Sequence, residues 1–447
     1  MIGDRWAKKT VLALIIRADR KAKKISGVLN LMMNKENLML KKLTTIFVVL
    51  ITILSMAVVP SAQACSRLVY NGGQYGPITA RSMDWYIDPY SKIWVFPEGM
   101  RRDGGTGRNS IKWTSKYGSI VTSAYDFFSV DGINEKGLVV NALFLSGSEY
   151  SKDRSFIFSS HGEDKETLSV GAWAQYVLDN YKDVDEAYEA LVEEPFEIEG
   201  IKMGQLERAG KTDLSELGPV LKFTLQNLDM NLHLSISDPS GNSAIFEYVN
   251  GELESYKGSE YNVMTNDPFY DIQLKLNSYW SFVNNDVLKI PGTAMLPGDS
   301  SPSSRFIRAS YYLDQMNGKA ESESSWKETR RNEIAEAFAI IRNVSNPIGL
   351  ASTPTNLPEF LASASTTHWR VVSSQNEDKK KYNYYFEDAK NPSIFWLEMK
   401  KQDLEKGDEV KVLEDLTDID LSGEVTKKLE EAEPFSWDIP SLGLWGF

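Results

Sequence analysis

The first part of the chain that alternates between apolar and polar positions begins at residue 66. Three segments there are rich in β-branched and aromatic residues and are separated by glycine and proline turns: "SRLVYNG", "PITARSMDW" and "KIWVFP". This pattern predicts short strands. An apolar strand from Leu138 to Leu145 is predicted after the turn "NEKG", and a strand pair is predicted around the turn "DPSGNS" in "LHLSISDPSGNSAIFEYVNGEL".

Helical spacing appears in the middle of the chain. Val170, Trp173, Val177 and Leu178 recur near helical spacing in "LSVGAWAQYVLDNY", and Asp183 with Glu186 three residues later predicts a capped helix start in "DVDEAYEALVEE". Further helices are predicted in "FYDIQLKLNSYWSF", "SRFIRASYYLDQM" and "NEIAEAFAIIRNV". The pattern returns to strands in "HWRVVSSQ" and "YNYYFED", which flank the charged tip "NEDKKK" of a predicted hairpin, and in "SIFWLEM".

Strands at both ends with helices between them favour an α+β fold over regular β-α-β winding. Residues 193–230 are charged, and we expect an irregular excursion from the core. The stretch after Lys406 is acidic and ends in "PFSWDIPSLGLWGF", in which the aromatic residues Trp437, Trp445 and Phe447 predict that the tail docks on the rest of the protein.

The longest apolar run lies before all of these elements. Lys41 and Lys42 precede an uncharged run from Leu43 to Val59, and Ala62 and Ala64 then form an A-x-A cleavage site. This is the layout of a secretory signal peptide, although a run of this length is also at the lower limit for a membrane anchor. We therefore predict a leader over 1–64 with the signal peptide at about 39–64, a folded domain over 65–405 and an acidic tail over 406–447. Met33 and Met39 are alternative starts.

The amino-acid composition argues against two classes of binding partner. Residues 65–447 hold 38 Lys and Arg against 59 Asp and Glu, a net charge of −21. Such an acidic body repels nucleic acid and anionic membranes, so neither is an expected partner. The three histidines, His161, His233 and His368, stand in unrelated contexts without metal-ligand spacing, and we expect no metal and no cofactor.

The single cysteine, Cys65, directly follows the cleavage site. Cleavage after Ala64 would give Cys65 both a thiol and a free α-amine, whose reference pKa of about 7.7–8.0 lets it act as a base near neutral pH. A lipoprotein also needs a cysteine after its signal, although Ala62 replaces the leucine usual at position −3. The leader alone leaves open an N-terminal nucleophile, a lipid anchor and an ordinary buried thiol.

A run of motifs then resembles a known family. "CSRLVY", "PITARSMDWY", "DGINEKGL", "VMTNDPFYDIQL" and "LPGDSSPSSRFIRASYYL" occur in that order and resemble the choloylglycine hydrolase family of bile salt hydrolases and penicillin V acylases, over residues of about 65 to 405. "WTSKYGS", "AWAQYVLDNY" and "FWLEM" are more similar to the Gram-negative penicillin V acylase branch. The resemblance implies a four-layer αββα sandwich of the N-terminal nucleophile hydrolases.

The resemblance also implies roles for individual residues. Cys65 would be the nucleophile, Arg81 would favour its thiolate, and Asp84 would hold the α-amine. Asn266 and the backbone N–H near Phe144 would bind the oxyanion, and Arg305 would face the cysteine. The alternative for these polar residues is surface charge or turn chemistry. Phe144, Met83 and Trp85 are candidate walls of an acyl pocket, and core packing is their alternative.

The resemblance implies an amidase that forms a thioester acyl-enzyme on a small-molecule amide with an apolar acyl group. Penicillin V-type amides and acyl-homoserine lactones are the first candidate substrates, and conjugated bile salts are the alternative. A lipid-anchored binding protein is the alternative outside catalysis. We further expect export to the periplasm or the extracellular space, no stable membrane association after cleavage, and a homotetramer.

Overall fold

The computed structural model describes residues 65–71, 76–150, 165–288, 293–319, 330–348, 365–376, 381–391 and 393–439. The predicted leader, His161, Trp445 and Phe447 lie outside the described residues. Within these ranges, no helix is both long enough and apolar enough to cross a membrane.

Two large sheets dominate the fold. The seven-stranded sheet has the spatial order β14 (Val263–Met264), β1 (Ser66–Tyr70), β2 (Ile78–Trp85), β15 (Thr366–Asn376), β16 (Lys381–Asp388), β17 (Phe395–Glu398), β19 (Gly423–Glu424). The nine-stranded sheet has the order β13 (Glu252–Lys257), β12 (Ser243–Val249), β11 (Leu232–Ser237), β8 (Val139–Phe144), β7 (Phe128–Asn134), β6 (Ser119–Ala124), β3 (Ile93–Phe96), β18 (Lys411–Leu413), β20 (Glu430–Glu431). Within these two sheets, the described neighbouring strands run antiparallel except β17 and β19, which are parallel.

Helices cover the outer face of each sheet. The described helices are α1 (Trp173–Asn180), α2 (Val184–Leu191), α3 (Met203–Arg208), α4 (Pro219–Gln226), α5 (Tyr270–Phe282), α6 (Pro302–Lys319) and α7 (Arg330–Asn343). α1 and α2 pack on the nine-stranded sheet, α6 and α7 pack on the seven-stranded sheet, and α5 packs against α6. Asp183 caps α2 by accepting a hydrogen bond from the Glu186 backbone N–H at 2.8 Å, which confirms the helix start read from the sequence.

The inner faces of the two sheets meet through polar as well as apolar side chains. Thr79 Oγ1 of β2 lies 2.7 Å from Ser237 Oγ of β11. Gln375 of β15 donates to the carbonyls of Gly137 and Ser237, each at 2.9 Å. Because buried polar groups are costly unless they are paired, these bonds favour one alignment of the two sheets over others.

Residues 193–230 differ from the sequence prediction. They are not irregular, because β10 (Glu197–Glu199), α3 and α4 lie there, and β10 pairs with β9 (Thr167–Ser169). Met203, Leu206 and Leu214 are buried, so the segment has its own apolar anchors between its charged positions. The high charge density of this segment hid the few apolar residues that fix it.

The acidic tail contributes to both sheets. β18 pairs with β3, and β19 pairs with β17. Trp437 is 3% exposed and stacks on Trp113 at a centroid distance of 6.1 Å, while the Arg102 guanidinium lies 5.4 Å from its ring centroid. The boundary at residues 405 and 406 stays a prediction.

Candidate active site

The hairpin of β1 and β2 places the candidate residues on two opposite faces. Cys65 directly precedes β1, and Arg67 pairs with Arg81 across the hairpin. Side chains alternate along a strand, so Arg81 and Met83 point toward the nine-stranded sheet and Asp84 points toward the helical layer of α6 and α7. The face of β2 that carries Arg81 and Met83 is therefore the thiol side, and the opposite face, which carries Asp84, is the carboxylate side.

The Cys65 thiol is enclosed on the thiol side. Cys65 is 2% exposed, and its Sγ atom lies 3.8 Å from Met83 Sδ and 3.7 Å from the Asp84 carbonyl oxygen. Arg81 Nη2 lies 3.9 Å from the same Sγ and 3.4 Å from Met83 Sδ. The thiol is thus next to a guanidinium group that is fixed in position.

Arg81 is held by three groups besides the two sulfur atoms. Its Nη1 donates to the Val130 carbonyl, and the Trp369 ring centroid lies 5.0 Å from its guanidinium carbon. Asp131 Oδ2 lies 3.8 Å from Nη1, and both side chains are buried. Arg81 is therefore a core residue and not a surface charge.

Asp84 lies on the opposite face of β2 and is fully buried. Its Oδ1 accepts a hydrogen bond from Thr367 of β15, and its Oδ2 has no hydrogen-bond partner among the described residues. Burial raises the pKa of Asp84 to about 6, against the opposing effects of Arg305 and of the Thr367 hydrogen bond. A buried carboxylate oxygen without a donor is ready to accept one.

Arg305 connects the other candidates. Its Nη1 donates to the Cys65 carbonyl at 2.7 Å and to Ser66 Oγ, and its Nη2 donates to Asn266 Oδ1 at 3.2 Å. Burial lowers the pKa of Arg305 to about 10. The rigid fork of a guanidinium suits this use, because one side chain fixes the Cys65 backbone and the Asn266 amide together.

Asn266 lies between β14 and α5, at the thiol end of the sheets. Its Nδ2 donates to the Phe144 carbonyl at 2.7 Å. Gln273 of α5 donates to the backbone carbonyls of Asn266 and Pro268, and this fixes the loop. The structure thus brings Asn266 to the end of β8, where Phe144 pairs with Leu232.

The three candidate pocket residues lie together and are buried. Trp85 and Phe144 have ring centroids 5.5 Å apart, and Met83 touches the thiol.

Sequence reasoning missed three residues that support this site. Asp131 is the first residue of the motif "DGINEKGL", so the motif marked its position although no role was assigned to it. Thr367 and Trp369 contact Asp84 and Arg81 only because β15 pairs with β2, and no local signal could have marked them. Within the described ranges, no group of histidine, cysteine and acidic residues is arranged to hold a metal ion.

The two facing, mainly antiparallel sheets between helical layers, with the thiol directly before β1, define the αββα fold of the N-terminal nucleophile hydrolases. Comparison with known proteins agrees with this class. The family described as linear amide C–N hydrolases, choloylglycine hydrolase family, matches residues 65–419. The chain belongs to the choloylglycine hydrolase family and is a hydrolase of linear amides.

Comparison with individual proteins shows which members of the family this chain is similar to. The chain is 41% identical over 352 residues to a penicillin V acylase of Pectobacterium atrosepticum, which covers 76% of this chain and 81% of the relative. It is 27% identical over 322 residues to a bile salt hydrolase/transferase of Clostridium perfringens, with coverage of 68% and 83%. The solved structure of a penicillin V acylase from Agrobacterium tumefaciens superposes with a TM-score of 0.65 at 39% identity, covering 83% of this chain and 99% of that one. The recognised family and the αββα fold are confirmed.

Proposed function

We propose that the protein is an exported penicillin V acylase-like amidase whose nucleophile is Cys65, exposed as the N-terminal residue by removal of the leader. The observation that carries the proposal is the environment of Cys65. The thiol lies 3.9 Å from the buried Arg81 guanidinium, and Asp84 Oδ2 on the opposite face of β2 has no hydrogen-bond partner among the residues that the structure describes. The first suits a thiolate, and the second suits an α-ammonium group that exists only after cleavage.

The reaction proceeds in two halves. The α-amine of Cys65 takes the thiol proton while Sγ attacks the amide carbonyl carbon, and the carbonyl oxygen becomes an oxyanion. Asn266 Nδ2 uses one N–H on the Phe144 carbonyl, and its second N–H, with the backbone N–H near Phe144, stabilises the oxyanion. The C–N bond then breaks, the ammonium returns its proton to the leaving amine, and a thioester remains. Water attacks the thioester by the same proton path and releases the acid and the thiol.

The acyl group is proposed to be slim and apolar. Met83 contacts the thiol and Trp85 packs against Phe144, whose carbonyl accepts from Asn266, and such buried apolar side chains suit a narrow group better than a steroid. Phenoxyacetyl amides such as penicillin V fit this description, and so do the acyl chains of homoserine lactones. The 41% identity to a penicillin V acylase supports the same assignment.

Bile salt hydrolysis is the second candidate, and the similarity to a bile salt hydrolase/transferase favours it. The experiment is a hydrolysis panel of penicillin V, glycocholate and several acyl-homoserine lactones on the protein beginning at Cys65, with Cys65→Ser as the matched control. Faster turnover of the slim acyl donors supports the proposal. Glycocholate turnover far above the others would refute the substrate assignment, and turnover by Cys65→Ser at the wild-type rate would refute the nucleophile.

Export is tested separately on the protein isolated from the cells that naturally produce it. Intact mass and N-terminal sequencing should give an unmodified Cys65 as the first residue in the periplasmic or extracellular fraction. A cysteine blocked by a diacylglyceryl group would refute the free N-terminal nucleophile and would indicate a lipid anchor. Size-exclusion chromatography with light scattering tests the proposed homotetramer.

A further inference from the structure

A buried polar cluster lies behind Arg81 and has no role in the reaction proposed above. Asp131 of β7 accepts a hydrogen bond from Tyr384 Oη at 2.7 Å and one from Asn141 Nδ2 at 2.6 Å. Tyr384 Oη also lies 2.6 Å from Thr122 Oγ1. Asp131, Asn141, Tyr384 and Thr122 are all fully buried or nearly so, and they join the two sheets directly behind the thiol.

Asp131 is the carboxylate paired with Arg81 in the described structure. Its Oδ2 lies 3.8 Å from Arg81 Nη1, while Arg81 Nη2 lies 3.9 Å from Cys65 Sγ. The guanidinium therefore stands between the carboxylate and the thiol, and the carboxylate is within about 10 Å of the sulfur. At that distance and at the effective dielectric constant typical of proteins, a unit charge shifts an ionisation by about one pKa unit.

Arg81 has two holding contacts besides Asp131. The Val130 carbonyl and the face of Trp369 fix the guanidinium independently. What Asp131 alone contributes at this position is negative charge. Burial raises the pKa of Asp131, and the adjacent Arg81 together with the hydrogen bonds from Tyr384 and Asn141 acts against that rise.

We propose that Asp131 is the counter-charge of Arg81, which limits how strongly Arg81 stabilises the Cys65 thiolate and so keeps the resting nucleophile as a neutral thiol whose proton is available to the α-amine. Asp131 touches no substrate and acts through Arg81, so it is a positioning residue. The other charged groups near the thiol are Arg67 beside Arg81 on β1, Asp84 on the far face of β2, and Arg305 at the Cys65 carbonyl. The inference rests on the proposed nucleophile, but its test needs no substrate.

The experiment uses the only thiol in the chain. The rate of alkylation of Cys65 by iodoacetamide is followed by intact mass across pH in the protein beginning at Cys65, and each profile is normalised to its plateau so that accessibility cancels. Cys65→Ser corrects for reaction at the α-amine. Asp131→Asn is close in shape, and its amide can donate to Tyr384 while Tyr384 donates to Thr122, so the cluster can remain satisfied.

The expected result is that Asp131→Asn moves the midpoint of the alkylation profile down by about one pH unit. Asp179→Asn is the matched control, because Asp179 is an equally buried carboxylate that accepts from a buried arginine, Arg102, at 3.2 Å on the outer helix α1. It should leave the midpoint unchanged. An unchanged midpoint in Asp131→Asn would overturn the inference, and an upward shift would show instead that Asp131 holds the guanidinium in place.

A second measurement covers the case in which Asp131→Asn does not fold. The carboxyl ¹³C shift of Asp131 is followed across pH in the wild-type protein. A carboxyl ionised at pH 7 supports the inference, and one that stays protonated there overturns it, because it has no charge with which to balance Arg81. A lack of substrate turnover would refute the proposed function but would not move either readout.

Discussion

Asp84 allows a sharp test of where the α-amine of Cys65 lies. When residues precede Cys65, its nitrogen is an uncharged peptide N–H, and burial raises the pKa of Asp84 from 3.8 to about 6. The folded protein then binds a proton more tightly at Asp84 than the unfolded chain does. The contribution of Asp84 to stability is therefore constant below about pH 3.8, falls as the pH rises from about 3.8 to about 6, and is constant again above that.

The magnitude follows from the shift. A rise of about 2 pKa units at about 1.36 kcal/mol each corresponds to a loss of roughly 3 kcal/mol of unfolding free energy across that window. Asp84 is fully buried, so solvent screening does not reduce the figure. Asp84→Asn removes this titration while its oxygen can still accept from Thr367, and other titrating groups cancel when the variant is compared with the wild type.

The assay is urea unfolding of wild type and Asp84→Asn between about pH 4 and 7, in two forms of the protein. In a form beginning at Ser61, wild type should lose about 3 kcal/mol relative to Asp84→Asn as the pH rises. In the form beginning at Cys65, most of that loss should disappear, because an ammonium group beside a carboxylate lowers the carboxylate's pKa by about 1–3 units. Equal slopes in the two forms would refute the placement of the α-amine beside Asp84, and a stability difference that rises with pH in the longer form would refute the raised pKa.

Four further predictions concern the site and the tail. Cys65→Ser should fold and be nearly inactive, and one iodoacetamide adduct should abolish wild-type activity; an active alkylated protein would exclude the thiol mechanism. Asn266→Ala should lower kcat by about 10²–10³ with the fold retained by circular dichroism, whereas near wild-type kinetics would remove it from the oxyanion site. Arg305→Lys should lower kcat/KM by more, in free-energy terms, than it lowers the free energy of unfolding, because an ammonium cannot replace the guanidinium fork that joins Cys65 and Asn266. A kcat/KM equal to that of the wild type would contradict this. Trp437→Ala should cost about 3–5 kcal/mol in urea unfolding, because a buried aromatic anchor of the tail is lost, and a cost under about 1 kcal/mol would mean that the tail is not held there.

Much of the candidate site could be predicted from the sequence because the patterns that mark it lie within a few consecutive residues. The strand period of two places Arg81 and Met83 on one face of "ITARSMDW" and Asp84 on the other, and the position of Cys65 after an A-x-A site is a feature of a few consecutive residues. The capped start of α2 at Asp183 and the strand pair β15–β16 were predictable for the same reason. The specific αββα layering followed from the family resemblance and not from the pattern of apolar positions.

Tertiary structure alone decided which distant residues meet. Arg305 bonds to the Cys65 carbonyl across 240 residues, Asn266 bonds to Phe144 across 122, and Thr367 reaches Asp84 across 283. Apolar periodicity determines which face of each strand is buried. The same periodicity is compatible with many pairings of these buried faces, so it does not determine which of them lie opposite each other. That choice is made when buried polar side chains of the two sheets pair across the interface, and this is why the Asp131 and Tyr384 pair behind Arg81 is visible only in the folded protein.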